Sequence, residues 1–154
     1  MNILPQIKIR TGGITKMAIT LPPDYKPNDK EEFMNPLQTE YFRKKLTDWR
    51  EQLLNESNGT INTLKTSTVA AADATDRASV ESNRALELRT RDRSRKLINK
   101  INEALSRIED GSYGYCEMTS EPIGVRRLEA RPIATLSIEA QEMHERAERQ
   151  FRDD

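Results

Sequence analysis

The stretch MNPLQTEYFRKKLTDWREQL, residues 34–53, decides the fold. Asn35 can cap a helix, Pro36 suits its first position, and Gln38 can reach back to the cap amide. Phe42, Leu46, Trp49 and Leu53 then recur at spacings of four, three and four, a narrow apolar stripe of the coiled-coil kind. Beyond Leu53 the stripe weakens to Thr60, Thr63 and Leu64. No Pro or Gly falls between Pro36 and Gly59, so the spacing predicts a helix running to about residue 66. Some 30 residues at ~1.5 Å each span ~45 Å.

A matching stripe lies downstream: Leu97, Ile101, Ala104 and Ile108 repeat the four, three, four spacing, and Asp110-Gly111 supplies a left-handed stop. Between the stripes, Ser67 to Asp76 is small, polar and aperiodic, the composition of a turn. The two helices are expected to zip together antiparallel over residues 34–110, packed at the end far from a polar tip near residues 67–77. Residues 1–33 read as an irregular leader interrupted by Pro5, Gly12, Gly13, Pro22, Pro23 and Pro27. Met17, which opens MAITLPPDYKP, is an equally good first residue, and residues 1–16 are then dispensable.

Residues 111–154 are expected to form a small globular head and a C-terminal helix. Gly114, Gly124 and Pro132 punctuate the head, and Tyr113, Tyr115, Ile123, Val125, Leu128, Ile133, Leu136 and Ile138 are its candidate core. The last helix should begin at Ser137, carry Glu139 in its first turn, and bury Ala140, Met143, Ala147 and Phe151. Few residues remain for a generous core, so the head should lean on the shaft and the leader for burial.

Composition agrees with an elongated, mainly all-α chain. Of 154 residues 32% are charged and only 5% aromatic, so most of the chain is solvated surface. Lys+Arg and Asp+Glu balance at 25 each, which argues against a general polyanion-coating protein. Cys116 is the sole cysteine, which excludes an intrachain disulfide and a four-thiolate metal site and fits a reducing cytoplasm. There is no run of 18 apolar residues and no secretory pattern at the N-terminus, so a soluble, cytoplasmic monomer without membrane contact is expected.

The runs MNPLQTEYFRKKLTDWREQL, DATDRAS, LELRTRDRSRKLINKI, GYCE and IGVRRLEARP, in this order over residues 33–136, closely resemble the DksA/TraR family. RDRSRKLI and RRLEARP are long runs that no general helical pattern demands. The resemblance implies a long antiparallel coiled-coil hairpin attached to a small zinc-finger-like globular head. It further implies a regulator, not an enzyme, that binds bacterial RNA polymerase. The tip enters the secondary channel and modulates initiation at ribosomal RNA and stringent-response promoters together with guanosine tetraphosphate (ppGpp), without sequence-specific DNA binding.

One departure stands out. The positions of the family's two Cys-x-x-Cys pairs are occupied here by Cys116, Thr119, Ser137 and Ala140, and the only histidine, His144, lies beyond them. Structural zinc needs four Cys or His ligands. The chain therefore reads as a zinc-independent, cysteine-poor member, with Cys116 a remnant of the metal site in preference to a redox sensor, which needs exposure and a lowered thiol pKa.

Three groups of residues carry candidate function. Asp73 and Asp76, with Ala78 and Ser79, would form the tip; local chemistry alone reads Asp76 as an N-cap and Asp73 as a turn residue, whereas the resemblance makes the tip the functional element. Arg84, Arg89, Arg91, Arg93, Arg95, Lys96 and Lys100 outnumber Glu87 and Asp92 along the second helix. Such runs are often only a solvated face, but the resemblance assigns Arg89, Arg91, Arg93 and Arg95 to polymerase. Arg126, Arg127 and Arg131 surround Glu129 in sequence, either as a phosphate-binding cluster or as local salt bridges. The resemblance places ppGpp on Leu97, Lys100, Arg131 and Gln141, where Gln141 replaces a family lysine and weakens the site. Alternative readings are a transcript-cleavage factor of the GreA/GreB type, a coiled-coil adaptor that does not act on polymerase, and a DNA-binding zinc-finger protein, against which the absent ligands and zero net charge speak.

Overall fold

The computed structural model describes residues 19–66 and 74–152. Four helices follow in order: α1 (Pro36–Thr66), α2 (Ala74–Asp110), α3 (Val125–Ala130) and α4 (Ile138–Arg152). Helices α1 and α2, of 31 and 37 residues, pack against each other as the hairpin. The segment 67–73 lies outside the described residues, and α2 already runs from Ala74, so residues 74–77 of the expected tip are helical.

The start of α1 differs from its expected form by one residue. Asn35 Oδ1 accepts from the Gln38 N–H at 2.9 Å, as a cap should, but Gln38 Oε1 reaches past the cap to the Met34 N–H, also at 2.9 Å. The reason is that the Asn35 N–H is already bound to the Glu32 carbonyl, while Met34 sits at φ 54 with its amide turned towards Gln38. Gln38 is wholly buried, and its Nε2 donates to the Asn28 carbonyl at 3.1 Å. One side chain thus ties the leader to the helix, satisfying polar groups that would be costly to bury unpaired.

Helix α2 ends in a Schellman turn: Gly111 takes φ 84, and the Ser112 N–H donates to the Arg107 carbonyl at 3.0 Å. The chain then folds back as a tight knuckle. Tyr115 and Pro122 form an isolated antiparallel bridge, flanked by Cys116 N–H to Glu121 O and Ile123 N–H to Gly114 O, both 2.8 Å. No longer strand occurs among the described residues.

A single apolar core joins hairpin and head. Phe42 and Leu46 of α1, Ile101, Ala104 and Ile108 of α2, and Tyr113, Cys116, Ile123, Val125, Leu128, Ile133, Ala134 and Ala140 of the head are all buried in one cluster. Trp49, Leu53, Leu97 and Leu136 pack on its margin, as do Phe33 and Met34 from the leader. The head therefore does lean on shaft and leader. Phe33 meets Tyr115 edge-on at 5.5 Å, and Tyr25 meets Tyr41 at 6.1 Å.

Two core expectations are corrected. Tyr115 and Ile138 are exposed, because the knuckle turns Tyr115 outward onto Phe33 and Ile138 opens α4 on its solvent side. On α4 only Ala140 is buried; Met143 is 51% and Phe151 84% exposed, and Ala147 is exposed as well. The apolar period is present, but only the first turn of the helix touches the head, and no described segment covers the rest.

Gly114 is where the leader and the knuckle meet. It adopts φ +91, and a Cβ there would lie 2.9 Å from Met34 Cγ and 3.2 Å from Phe33 Cζ. Gly111, at φ +84, has nothing within 4 Å of a Cβ. Both alanine substitutions incur the left-handed backbone cost of ~1–2 kcal/mol. Gly114→Ala also overpacks the leader contact, so urea unfolding should show it less stable than Gly111→Ala by about 1 kcal/mol or more.

Candidate functional site

Three regions carry the candidate residues: the far end of α2, its flanks, and the junction between α2 and the head. At the far end, Asp76 is exposed in the first turn of α2, where a carboxylate complements the helix dipole. It is the third residue of the helix, so it is not the N-cap. Ala78 and Ser79 are exposed beside it. Asp73 lies outside the described residues.

The arginines of α2 do not form one face. A helix advances ~100° per residue, so Arg89 and Arg93 share one flank while Arg91 and Arg95 share a flank roughly opposite. Arg89, Arg93 and Arg95 are exposed, and Arg91 is half-buried. Arg95 is held by Asp92 at 2.9 Å, with both side chains mostly exposed. The Arg89–Arg93 flank continues through Lys96 and Lys100 towards the head.

That flank leads into a cavity of about 440 Å³ where α2 meets the head. Lys100, Arg131 and Gln141, three of the four residues expected to hold ppGpp, line it together. Leu97, the fourth, does not line it; half-buried, it packs on the hairpin core one turn before. Sequence reasoning missed Arg107, which lines the same cavity together with Glu103 and Glu117. The signal was present, since Arg107 lies seven residues after Lys100 and thus on the same helix face.

The head arginines separate as well. Arg127 and Arg131 line the cavity, and Arg127 Nε donates to the Leu136 carbonyl at 2.8 Å, which fixes its guanidinium there; Arg126 is exposed and is not part of the wall. None of the three pairs with Glu129. Its carboxylate turns to α1 instead, accepting from the Tyr41 hydroxyl at 2.9 Å and meeting Lys45 Nζ at 2.8 Å. Hydrogen bonding to Glu129, after burial, pushes the Tyr41 phenol up from its ordinary 10.0. The cluster is not a set of local salt bridges, because α3 presents Glu129 and the arginines to different neighbours.

The four positions of the degenerate metal site do come together. Cys116 is 2% exposed, the Ala140 N–H donates to Ser137 Oγ at 3.2 Å, and the Glu117 N–H donates to the Thr135 carbonyl at 2.9 Å, closing the knuckle onto the start of α4. Burial pushes the Cys116 thiol up, but hydrogen bonds from the Thr119 hydroxyl and the backbone N–H groups of Ser137, Thr119 and Met118 outweigh it and bring it down to about 7. One sulfur, two hydroxyls and a methyl group do not fit a structural zinc. Among the described residues no group of three or more His, Cys, Asp or Glu could hold a metal. The Cys116 sulfur is instead held by the hydrogen bonds from Thr119, Met118 and Ser137.

A coiled-coil hairpin with a knuckle-and-helix head of zinc-finger form is the class that this geometry defines. The family description "DnaK suppressor protein DksA, N-terminal domain" matches residues 38–108, and "Prokaryotic dksA/traR C4-type zinc finger" matches residues 111–146. The chain is 63% identical over 131 residues to the RNA polymerase-binding transcription factor DksA of Caulobacter vibrioides, covering 85% of this chain and 92% of that protein. It is 41% identical over 142 residues to the protein of the same name from Escherichia coli K12, covering 92% and 94%. The solved structure of transcription factor DksA2 from Pseudomonas aeruginosa is similar at a TM-score of 0.71 and 43% identity, over 76% of this chain and 90% of that one. The chain belongs to the DksA/TraR family. These relatives are named as transcription factors, not as enzymes.

Two outcomes follow from the head. Purified protein should carry far less than one zinc per chain, and a chelator should leave its thermal unfolding unchanged. Cys116 has a folded pKa of about 7 against an ordinary 9.0, so its thiolate contributes stability fully above pH 9 and loses it as the pH falls through 7. Denaturation midpoints of wild type and Cys116→Ala should therefore diverge, in favour of wild type, as the pH rises from 7 to 9.

Proposed function

We propose that this protein binds bacterial RNA polymerase and regulates initiation by inserting the α1–α2 tip into the secondary channel, with ppGpp bound at the cationic cavity and no structural zinc. The observation that carries the reading is the convergence of Lys100, Arg131 and Gln141, from α2, the loop after α3 and α4, on one cavity. Core packing brings α2, the loop after α3 and α4 together, but it does not require the hollow between them to be lined by cations. At about 440 Å³ it lies within the ~300–1,000 Å³ usual for small-molecule sites. Relatives at 63% and 41% identity carry the name RNA polymerase-binding transcription factor, which supports polymerase as the partner.

The parts divide the work. The packed base of the hairpin fixes the direction in which the far end projects, and Asp76 stands exposed at that end. The two arginine flanks of α2 can meet an acidic channel rim on both sides of the helix, and charge complementarity of this kind governs encounter and register. The cavity lies at the opposite end, so an anion bound there acts on how the chain sits on polymerase and not on the tip chemistry. Regulation of promoter complexes in the cytoplasm follows from this partner. The cleavage-factor reading would need carboxylates at the tip holding a catalytic Mg²⁺, and a stalled-complex cleavage assay is expected to be negative.

Asp76→Asn removes a charge at nearly constant size. Hairpin and polymerase association, followed by co-purification with core enzyme, should persist while the effect on a ribosomal RNA promoter is largely lost; joint loss of binding and regulation would show a purely structural residue.

In ppGpp titrations of promoter inhibition, compared with polymerase alone, Arg131→Ala should nearly remove the contribution of this chain. Gln141→Lys should lower the half-maximal concentration, because a charge-assisted hydrogen bond contributes roughly twice a neutral one. Arg131→Ala behaving as wild type would withdraw the nucleotide from this site.

A further inference from the structure

Arg107, like Arg127, is a half-buried cation of the cavity. Its side chain is 14% exposed, and its Nη1 is buried and makes no hydrogen bond. The closest anion to that nitrogen is Glu117 Oε1, at 3.7 Å, beyond hydrogen-bonding reach and on a side chain that is 60% exposed. Asp110 also lies in the field of Arg107, but its carboxylate is engaged by the hydroxyl and amide of Ser112, which hold it below the usual carboxylate range. A guanidinium nitrogen sealed from water without a hydrogen bond is costly, and charged groups are the costliest case. It is sustained here by an exposed carboxylate that is anchored at its backbone, through the Glu117 N–H to Thr135, yet free at its end.

Around this pair the cavity is rich in cations. Lys100, Arg107, Arg127 and Arg131 line it against Glu103 and Glu117, and among the described residues no ion pair reaches Lys100 or Arg131. We propose that the Arg107–Glu117 pair is an internal counter-ion latch: the Glu117 carboxylate stands where a phosphate group would stand, and a phosphate-bearing ligand seats by displacing it and taking the Arg107 guanidinium as a ligand. This deepens the reading of the cavity given above and rests on it for the nucleotide, though the latch itself requires only phosphate chemistry. Its effect is to set a threshold. Ligand binding must break one ion pair before it gains a planar, bidentate donor that no lysine could replace.

The test has two arms on the full chain. In the first, inorganic pyrophosphate is titrated into the protein alone and followed by the Arg107 Nε–H resonance or, for variants lacking it, by calorimetry. Glu117→Gln should tighten binding roughly two- to fivefold, the worth of a partly exposed ion pair. Arg107→Gln should weaken it about tenfold or more, as loss of a charged hydrogen-bond partner does. In the double variant the Glu117→Gln gain should vanish, because the two residues act as one unit. Glu103→Gln, on the same wall, should give a smaller gain that survives in the Arg107→Gln background.

Glu117 is exposed, so Glu117→Gln should fold as wild type, and matching thermal unfolding curves verify that. An unchanged affinity for Glu117→Gln, a gain equal to that of Glu103→Gln, or a gain that persists without Arg107 would each overturn the latch. The second arm repeats the series with ppGpp on the polymerase complex. Pyrophosphate coupling with no ppGpp response would keep the latch and remove the nucleotide assignment. A ppGpp response indifferent to Glu117 would remove the latch and keep the nucleotide.

Discussion

The structure depends on one apolar cluster shared between hairpin and head. Phe42, Leu46, Ile101, Ala104 and Leu128 are completely buried in it, and they come from α1, α2 and α3. Neither part has enough apolar residues to bury alone: the hairpin stripe fades after Leu53, and the head has about forty residues, too few for a generous core of its own. Joined, each supplies the surface that the other lacks. The orientation of the hairpin relative to the head follows from this, and so does the cavity, whose walls are α2 on one side and the start of α4 with the loop before it on the other.

The same dependence explains how a finger-shaped head persists with one metal-type ligand. Structural zinc can contribute ~10–16 kcal/mol of apparent folding free energy in small domains. Here the knuckle is closed by backbone hydrogen bonds from Cys116 to Glu121, Ile123 to Gly114 and Glu117 to Thr135. Tyr113 adds a buried hydroxyl bond to the Pro132 carbonyl at 2.7 Å. Each such bond contributes only ~0.5–1.5 kcal/mol net. They specify the shape, while the burial of Tyr113, Ile123, Val125, Leu128 and Ile133 against the hairpin supplies the driving force.

Much of this was legible in the sequence. The start of α1, the end of α2 and the packed course of both are written in Asn35-Pro36, Asp110-Gly111 and the four-three-four stripes, all local signals, whereas the start of α2 at Ala74 falls inside the expected tip. The head core is legible as a set of residues but not as an arrangement, and Tyr115 and Ile138, apolar by pattern, stand exposed. The α4 face differs for another reason: a helical period shows which side could be buried and says nothing about whether a neighbour is there. For the site, Lys100, Arg131 and Gln141 rested on family resemblance and the tertiary fold brought them together. The split of Arg89 and Arg93 from Arg91 and Arg95 needed only the helix period. The opposite fates of Glu129 and Glu117 needed the fold, because which cation a carboxylate meets depends on how α3 and the knuckle are turned.

The packed base and the exposed outer part of the hairpin lie at opposite ends of α2, and the sequence pattern shows why they differ. Near the head, α2 is buried on one side at Ile101, Ala104 and Ile108; towards Ala74 its large apolar residues Val80, Leu86 and Leu88 are all exposed. That outer part of α2 is held mainly by good helix formers and by pairs such as Arg95 with Asp92, worth a few tenths of a kcal/mol each. Substitutions there remove little packing, so the outer end is free of the constraint that the core places on the base. The base cannot. A change at Leu46 or Leu128 would loosen hairpin, head and cavity together, and the proposed anion site would be disturbed even though neither residue lines the cavity. The cavity lies across the seam between head and shaft, so a ligand that bridged α2 to the loop after α3 would stabilise that seating by mass action.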